Sequence, residues 1–265
     1  MLNHEIFDEL QQACNSLHSQ SFGRRLYQIQ QSKNQYWVKA QLFGFNSISE
    51  QAFLNELCVY QRLTQQKSNV LLPFEIVDSR TLFKNAEPYL QQALILQDSI
   101  ALFEQSPIQC SHAEILHLLL KSLDVVSDMH QVGYLHGDLK VEHFRIYHKQ
   151  CCLIDFEQAM SLDQLRPHNS ATPRYMAPEL FHAEAKSIQS DIYALGIIWL
   201  EWLTQRRLQE KTYMDWAYLH CQHLKVQLSE PLIMLEPVLS AMLHKIKSHR
   251  AVNINEIKQR LSKFV

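Results

Sequence analysis

The stretch HGDLKVEHF at residues 136–144 places a carboxylate, an ammonium group and an imidazole in one short loop, as Asp138, Lys140 and His143. Downstream, IDFE at 154–157 adds Asp155, and far upstream YWVK at 36–39 adds Lys39. Carboxylates orient or deprotonate a nucleophile, ammonium groups neutralise an anion, and a neutral imidazole ligates a divalent metal, manganese more readily than magnesium. Each group alone reads as an ordinary turn acid or a solvated ion pair. As a set they suit chemistry in which a nucleophile is oriented while negative charge is neutralised beside it.

Such groups need elements to hold them. LYQIQ (26–30) and YWVKAQLF (36–43) flank the turn-like SKN at 32–34 and predict a hairpin that carries Lys39. Side chains two apart on a strand point the same way, so Trp37 is expected on the face of Lys39. Ser47-Ile48-Ser49-Glu50 has the form of a capping box, after which Phe53, Leu57, Tyr60 and Leu63 recur at helical spacing. A further strand, ALILQ, ends at Asp98. Ile115, Leu119, Leu123, Val126 and Met129 make one stripe of a helix over 111–132 that runs directly into HGD. DIYALGIIWLEWLT at 191–204 is apolar on nearly every face, which suits a helix in the middle of a helical body.

Hydrophobic residues at 46% and charged residues at 20% describe a soluble globular protein, and a formal net charge of −2 gives no reason to expect a nucleic-acid partner. The six cysteines include no C-x-x-C pair, so buried free thiols in a reducing, cytoplasmic setting are expected. The most apolar windows, such as LGIIWL at 195–200, are too short for a transmembrane segment. The opening MLNHEIFDELQQACNSLHSQ is polar and acidic and lacks the form of a signal peptide.

Four segments then match, in order, the motifs of a known family. HGDLKVEH (136–143) resembles the catalytic loop H-R-D-L-K-x-x-N, and IDFE resembles the metal-binding D-F-G. ATPRYMAPE (171–179) resembles the end of an activation segment and DIYALG (191–196) the D-x-W-S-x-G helix of the eukaryotic-like, Ser/Thr-type protein kinases. One match is weak, but four in order over nearly the whole chain are specific, and the chain resembles a divergent, bacterial-type member. The resemblance implies an α+β, bilobal protein-kinase-like fold over 10–265, with a small β-rich N-lobe and one main helix at 10–97 and a larger helical C-lobe at 99–265. It implies ATP-dependent phosphotransfer to a serine or threonine of a protein, with Asp138 as base and Lys140 on the transferring phosphate. Asp155 would hold Mg²⁺ or Mn²⁺, and Lys39 would grip the α and β phosphates. The acid that partners Lys39 is expected on the next helix, where Glu56 is preferred to Glu50 because Phe53, Leu57 and Tyr60 flank it. Glu179 is expected to pair with Arg250, and Thr172 to steady Asp138. Ser170 and Thr172 are candidate phosphosites.

Five departures from the pattern bear on function. With only five glycines, a G-x-G-x-x-G phosphate loop is impossible; the local match is SQSFGRRLY (19–27), with Gly23 its one glycine and Arg24 or Arg25 able to compensate by charge. Trp37 stands where the family usually has alanine against the adenine, so it either stacks on a shifted base or fills the pocket. Gly137 replaces the arginine of H-R-D, which leaves no cation beside the base in the linear motif. Glu157 replaces the last glycine of D-F-G, which suggests a segment less prone to flip. His143 replaces the metal-binding asparagine, as in lipopolysaccharide kinases of the same superfold, and is expected to be a metal ligand. Two alternatives follow: a kinase for a lipopolysaccharide sugar or small hydroxyl compound, and a pseudokinase interaction module. The motifs encode neither the identity of the substrate nor the oligomeric state.

Overall fold

Lys39 sits on a hairpin because alternation along YWVKAQL is nearly strict: Val38, Ala40 and Leu42 turn one way into an apolar cluster, and Trp37, Lys39 and Gln41 turn the other. The computed structural model describes residues 16–31, 33–82, 90–164 and 171–264. The expected start at residue 10, Ser32 of the SKN turn, Cys14 and Ser170 lie outside them. The chain divides into two compact units. The first takes the described residues up to Lys67, then Leu71–Ser99 and the short piece Asp155–Glu157; the second takes Ser68–Val70, Ile100–Ile154 and the described residues from Gln158 onward.

In the first unit a short helix, α1 (Leu17–Ser21), precedes β1 (Arg24–Gln31) and β2 (Asn34–Leu42). Then follow α2 (Ser47–Gln65), β3 (Phe74–Asp78), the single turn α3 (Ser79–Leu82) and β4 (Leu90–Gln97). The sheet runs β1-β2-β4-β3, all neighbours antiparallel, and its register sets Lys39 between Leu26 and Leu94. Tyr27, Ile29, Leu90, Ala93 and Ile95 complete the cluster on the Val38 face. The main helix α2 buries Phe53, Glu56, Leu57, Tyr60 and Leu63. Its cap lies one residue before the capping box expected at Ser47. The Asn46 side chain accepts from Ser49 N–H at 2.8 Å, and Glu50 Oε1 accepts from the N–H groups of Gly44, Phe45 and Asn46 at 2.9–3.0 Å. Gly44, at φ +88°, provides the left-handed turn that brings these donors together. Glu50 is thereby committed to the cap.

The second unit is mainly helical. It opens with β5 (Ile100–Ala101), α4 (His112–Gln131) and β6 (Tyr134–Leu135), followed by β7 (Phe144–Tyr147), β8 (Gln150–Leu153) and β9 (Met160–Ser161). The helices α5 (Pro178–Phe181), α6 (Ile188–Thr204), α7 (Tyr213–Tyr218), α8 (Glu236–Met242) and α9 (Ile254–Leu261) complete it. Small sheets β5-β7-β8 and β6-β9 bracket the HGDLKVEHF loop. The helix α4 begins at a reciprocal cap, Ser111 N–H donating to Glu114 Oε2 at 2.7 Å and Glu114 N–H to Ser111 Oγ at 3.3 Å. The apolar helix α6 starts three residues earlier than DIYALG suggests, so Asp191 lies inside its first turn and is buried. Among the described residues the cysteines are free, but only Cys151 and Cys152 are buried; Cys58, Cys110 and Cys221 are half-buried, unlike the uniformly buried thiols expected. Among the described residues no helix is long and apolar enough to cross a membrane.

Glu179 and Arg250 meet as the sequence leads one to expect. Two parallel bonds of 2.7 and 2.8 Å join them in the interior, the guanidinium also donates to the carbonyls of Gln189 and His244, and its Cζ lies 4.8 Å from the centroid of the Tyr193 ring. Deleting one partner strands a buried charge, so Arg250→Met should lower unfolding free energy by about 3–5 kcal/mol, whereas Glu179→Leu with Arg250→Met should cost much less. Urea denaturation of the three proteins distinguishes these outcomes; equal losses for single and double variants would refute the charge argument.

Candidate active site

Three carboxylates surround the Lys39 ammonium in the first unit. Nζ lies 2.7 Å from Glu56 Oε2, 2.9 Å from Asp155 Oδ1 and 2.9 Å from Glu157 Oε1. The second Glu157 oxygen accepts from the Arg24 guanidinium. Two cations thus face three anions. Burial works to lower the Lys39 pKa, but Asp155, Glu56 and Glu157 outweigh it and hold the amine charged. Glu56, the deepest of the acids, carries the surplus: burial, reinforced by the charges of Asp155 and Glu157 and opposed by Lys39, pushes it up to about 7.

The Asp155–Glu157 segment is fixed to α2 at several points. Phe156 N–H donates to Glu56 Oε1 at 3.2 Å, Asn55 donates to the carbonyls of Phe156 and Glu157, and the Phe156 ring meets Tyr60 edge-on at 5.0 Å. Asp155 itself has φ +66°, a strained left-handed conformation for a non-glycine residue. Trp37 shares the Lys39 face, and its indole N–H donates to Asp98 Oδ1 at 2.9 Å. Upstream, the serines that stand for phosphate-loop glycines belong to α1: Ser19 N–H donates to Ser16 Oγ, and Ser21 Oγ donates to the His18 carbonyl. Gly23, at φ +82°, has a packing reason of its own, since a Cβ there would sit 2.7 Å from Gln41 Nε2 and 3.0 Å from the Leu42 carbonyl.

In the second unit Asp138 takes an N–H bond from Thr172 at 2.9 Å and pairs with Lys140 at 2.9 Å. Burial works to raise the Asp138 pKa, but Lys140 and the Thr172 amide, with His143, overcome it and hold the carboxyl below its usual range. The loop hangs from Asp191, whose carboxylate accepts from His136 N–H, Gly137 N–H and His130 Nε2, each at 2.9 Å. His143 is buried and stacks on His136 at 5.3 Å; its backbone N–H donates to the Lys140 carbonyl and its carbonyl accepts from Ile154. Gly137, at φ +75°, approaches its surroundings so closely that a Cβ would lie 2.5 Å from the Gln158 carbonyl oxygen and 3.3 Å from Lys186 Nζ.

With this geometry in place, a family comparison decides the class: the protein kinase domain model matches residues 21–259. The chain belongs to that family. It is 29% identical over 158 residues to an Acanthamoeba polyphaga mimivirus protein whose name places it among the serine/threonine-protein kinases, covering 57% of this chain and 56% of that one. It is 29% identical over 116 residues to the Wee1-like protein kinase of Arabidopsis thaliana, covering 43% and 23%. It is 25% identical over 199 residues to the serine/threonine-protein kinase pakC of Dictyostelium discoideum, covering 73% and 40%. The matches thus span about half of the first relative and less than half of the other two.

Within each unit the kinase motifs assemble. Lys39, Glu56 and Asp155 meet in the first unit, with Trp37 on the same face, while Asp138, Lys140 and His143 share one loop of the second. Four contributions escape the linear reading: Glu157 as a partner of Lys39, Arg24 as the partner of Glu157, Asp191 as the anchor of the loop, and Lys186. The missing third residue of D-F-G pointed to Glu157, and DIYALG to Asp191. Nothing in HAEAKSIQ marked Lys186.

A folded-state pKa raised above the ordinary glutamate range means that the stability tied to Glu56 is complete below about 4.5 and is lost as pH rises through about 7. Glu56→Gln removes that loss. Its melting temperature should therefore rise relative to wild type between pH 5 and pH 8; a constant gap across that range would show that Glu56 stays ionised throughout.

Proposed function

We propose that this kinase-family chain is an ATP-dependent phosphotransferase acting on a serine or threonine of a protein. The observation that carries the reading is the state of Asp138, a carboxylate held ionised between Lys140 and the Thr172 amide, as a group that orients a hydroxyl requires. The acceptor oxygen bonds to the γ-phosphorus as the bond from that phosphorus to the β–γ bridging oxygen breaks; ADP leaves, and the hydroxyl proton passes to Asp138. Lys140 neutralises the transferring group. The Ala171–Glu179 stretch, whose backbone already contacts Asp138, is the proposed platform for the protein acceptor.

ATP supplies the phosphoryl group, and a divalent cation neutralises charge on its phosphates. The donors present fit such a cation: Asp155 is a strained carboxylate, 31% exposed, in a cluster with more anions than cations. Lys39, fixed by Glu56, is assigned to the phosphates, Trp37 to the base, and Asp155 with His143 to the metal by motif correspondence. Gly23 is assigned to the same strand-entry turn. The engagement of Lys39 by three carboxylates, together with a helix where glycines would cradle phosphates, favours one second reading, a pseudokinase.

Labelled ATP, Mg²⁺ or Mn²⁺ and a mixed protein acceptor test the proposal. Wild type should form phosphoserine or phosphothreonine, Asp138→Ala should lose about 10²–10⁴-fold in rate, and Lys39→Ala should abolish the rise in melting temperature that ATP with metal produces by mass action. No shift with millimolar ATP would establish the pseudokinase, and transfer to sugars alone would establish a small-molecule kinase.

A nitrogen donor at position 143 favours manganese over magnesium, a harder cation that prefers oxygen ligands. His143→Asn should move the preference toward magnesium with activity retained, and His143→Ala should lose most of the rate. Equal rates for wild type and His143→Ala with both metals would assign His143 to loop packing against His136.

A further inference from the structure

In the linear motif no cation stands beside the base, because position 137 is glycine; in the folded chain one does. Lys186, from the loop ahead of α6, is only 1% exposed, and its side chain runs along Gly137, its Cδ and Nζ lying 3.2 and 3.3 Å from where a Cβ would be. With Gly137, Asp138, Thr172 and Asp191 it lines a small, partly open gap of about 20 Å³, roughly the room of one water. Burying an ammonium costs several kcal/mol unless anions face it. Asp138 and Asp191 both do. Asp191 already holds two backbone amides and His130, so the carboxylate whose balance Lys186 most alters is Asp138.

We infer that Lys186 is a positioning residue for Asp138, a built-in cation that enters through the space left by the absent side chain at Gly137 and fixes the charge and orientation of the proposed base. The glycine and the lysine are complementary: a side chain at 137 would crowd the amine and run into the Gln158 carbonyl. An ammonium buried in the fold needs no phosphate to recruit it. Thr172, whose N–H reaches Asp138 beside the same gap, therefore needs no phosphate to be placed there. The inference rests on Asp138 being the base.

Among the described residues the charged and titratable groups that face Asp138 include Lys140, His143, His136 and Lys186, together with the Thr172 amide; Lys186 also faces Asp191. Burial holds the Lys186 pKa below the usual lysine value, with Asp138 and Asp191 opposing the shift. Lys186→Met keeps the bulk and removes the charge, and Lys186→Arg keeps the charge. Steady-state kinetics across pH should show kcat falling about 10–100-fold in Lys186→Met, with KM for ATP little changed. The acid limb of its kcat profile should move to higher pH, because an aspartate that loses a neighbouring cation holds its proton more tightly. Lys186→Arg should restore most of the rate and return the limb toward wild type. Carbon NMR titration of the Asp138 carboxyl in Lys186→Gln provides the same readout without turnover and covers a Met variant that fails to fold. A Met variant with wild-type kcat and limb, or an Asp138 titration unmoved in the Gln variant, would overturn the inference and leave Lys186 as packing. Failure of the parent reading looks different: Asp138→Asn would then retain full activity, or the wild type would show no turnover at all.

Discussion

The buried carboxylate of Asp191 is the constraint on which the second unit depends. It sits in the first turn of an otherwise apolar helix, and it pays for its burial by accepting the backbone N–H groups of His136 and Gly137 and a bond from His130. Those bonds determine where the HGDLKVEHF loop leaves β6. Asp138, Lys140 and His143 take their places from that start, and Thr172 closes over Asp138 from the segment before α5. His130 belongs to the last turn of α4, so the same carboxylate also joins that helix to α6. A polar anchor of this kind confers position more than net stability, since its bonds replace bonds to water.

The first unit solves a different electrostatic problem. Lys39, Glu56, Asp155, Glu157 and Arg24 form a chain of alternating partners in which anions outnumber cations. Glutamate at position 157 exchanges a flexible glycine for a carboxylate bound at both oxygens, while Asn55, Glu56 and Tyr60 hold the neighbouring backbone and ring. The segment is consequently tied to α2 by charge, hydrogen bonds and aromatic contact together.

The helices and strands were legible in advance wherever periodicity was long and unambiguous. The β1–β2 alternation, the α4 stripe and the all-round apolar α6 each require one burial pattern, so position in the chain translates directly into face. Glu56 could be chosen over Glu50 because its helical neighbours are large and apolar. The cap of α2 was misplaced by one residue because Asn46 and Ser47 are both competent caps, and only the convergence of three amides on Glu50 separates them. The segment SQSFGRRLY, matched to a phosphate loop, instead contains a short helix because Ser16 supplies a cap and the serine side chains bond within the turn.

By itself the sequence determined the family and the order of the motifs, because these follow from residue type at short, fixed spacing, and it singled out Lys39, Glu56, Asp138, Lys140, His143 and Asp155 as candidates. The pairing of Glu179 with Arg250 was also readable, since both ends carry a motif. Only the tertiary structure decided how charge is balanced. Arg24 and Glu157 are joined across more than a hundred residues, and Lys186 reaches Gly137 from the loop before α6, neither through any local pattern. Burial makes those contacts consequential: a charge in the interior must find its partner in space, and the distance to it along the chain imposes no rule that a linear reading can use.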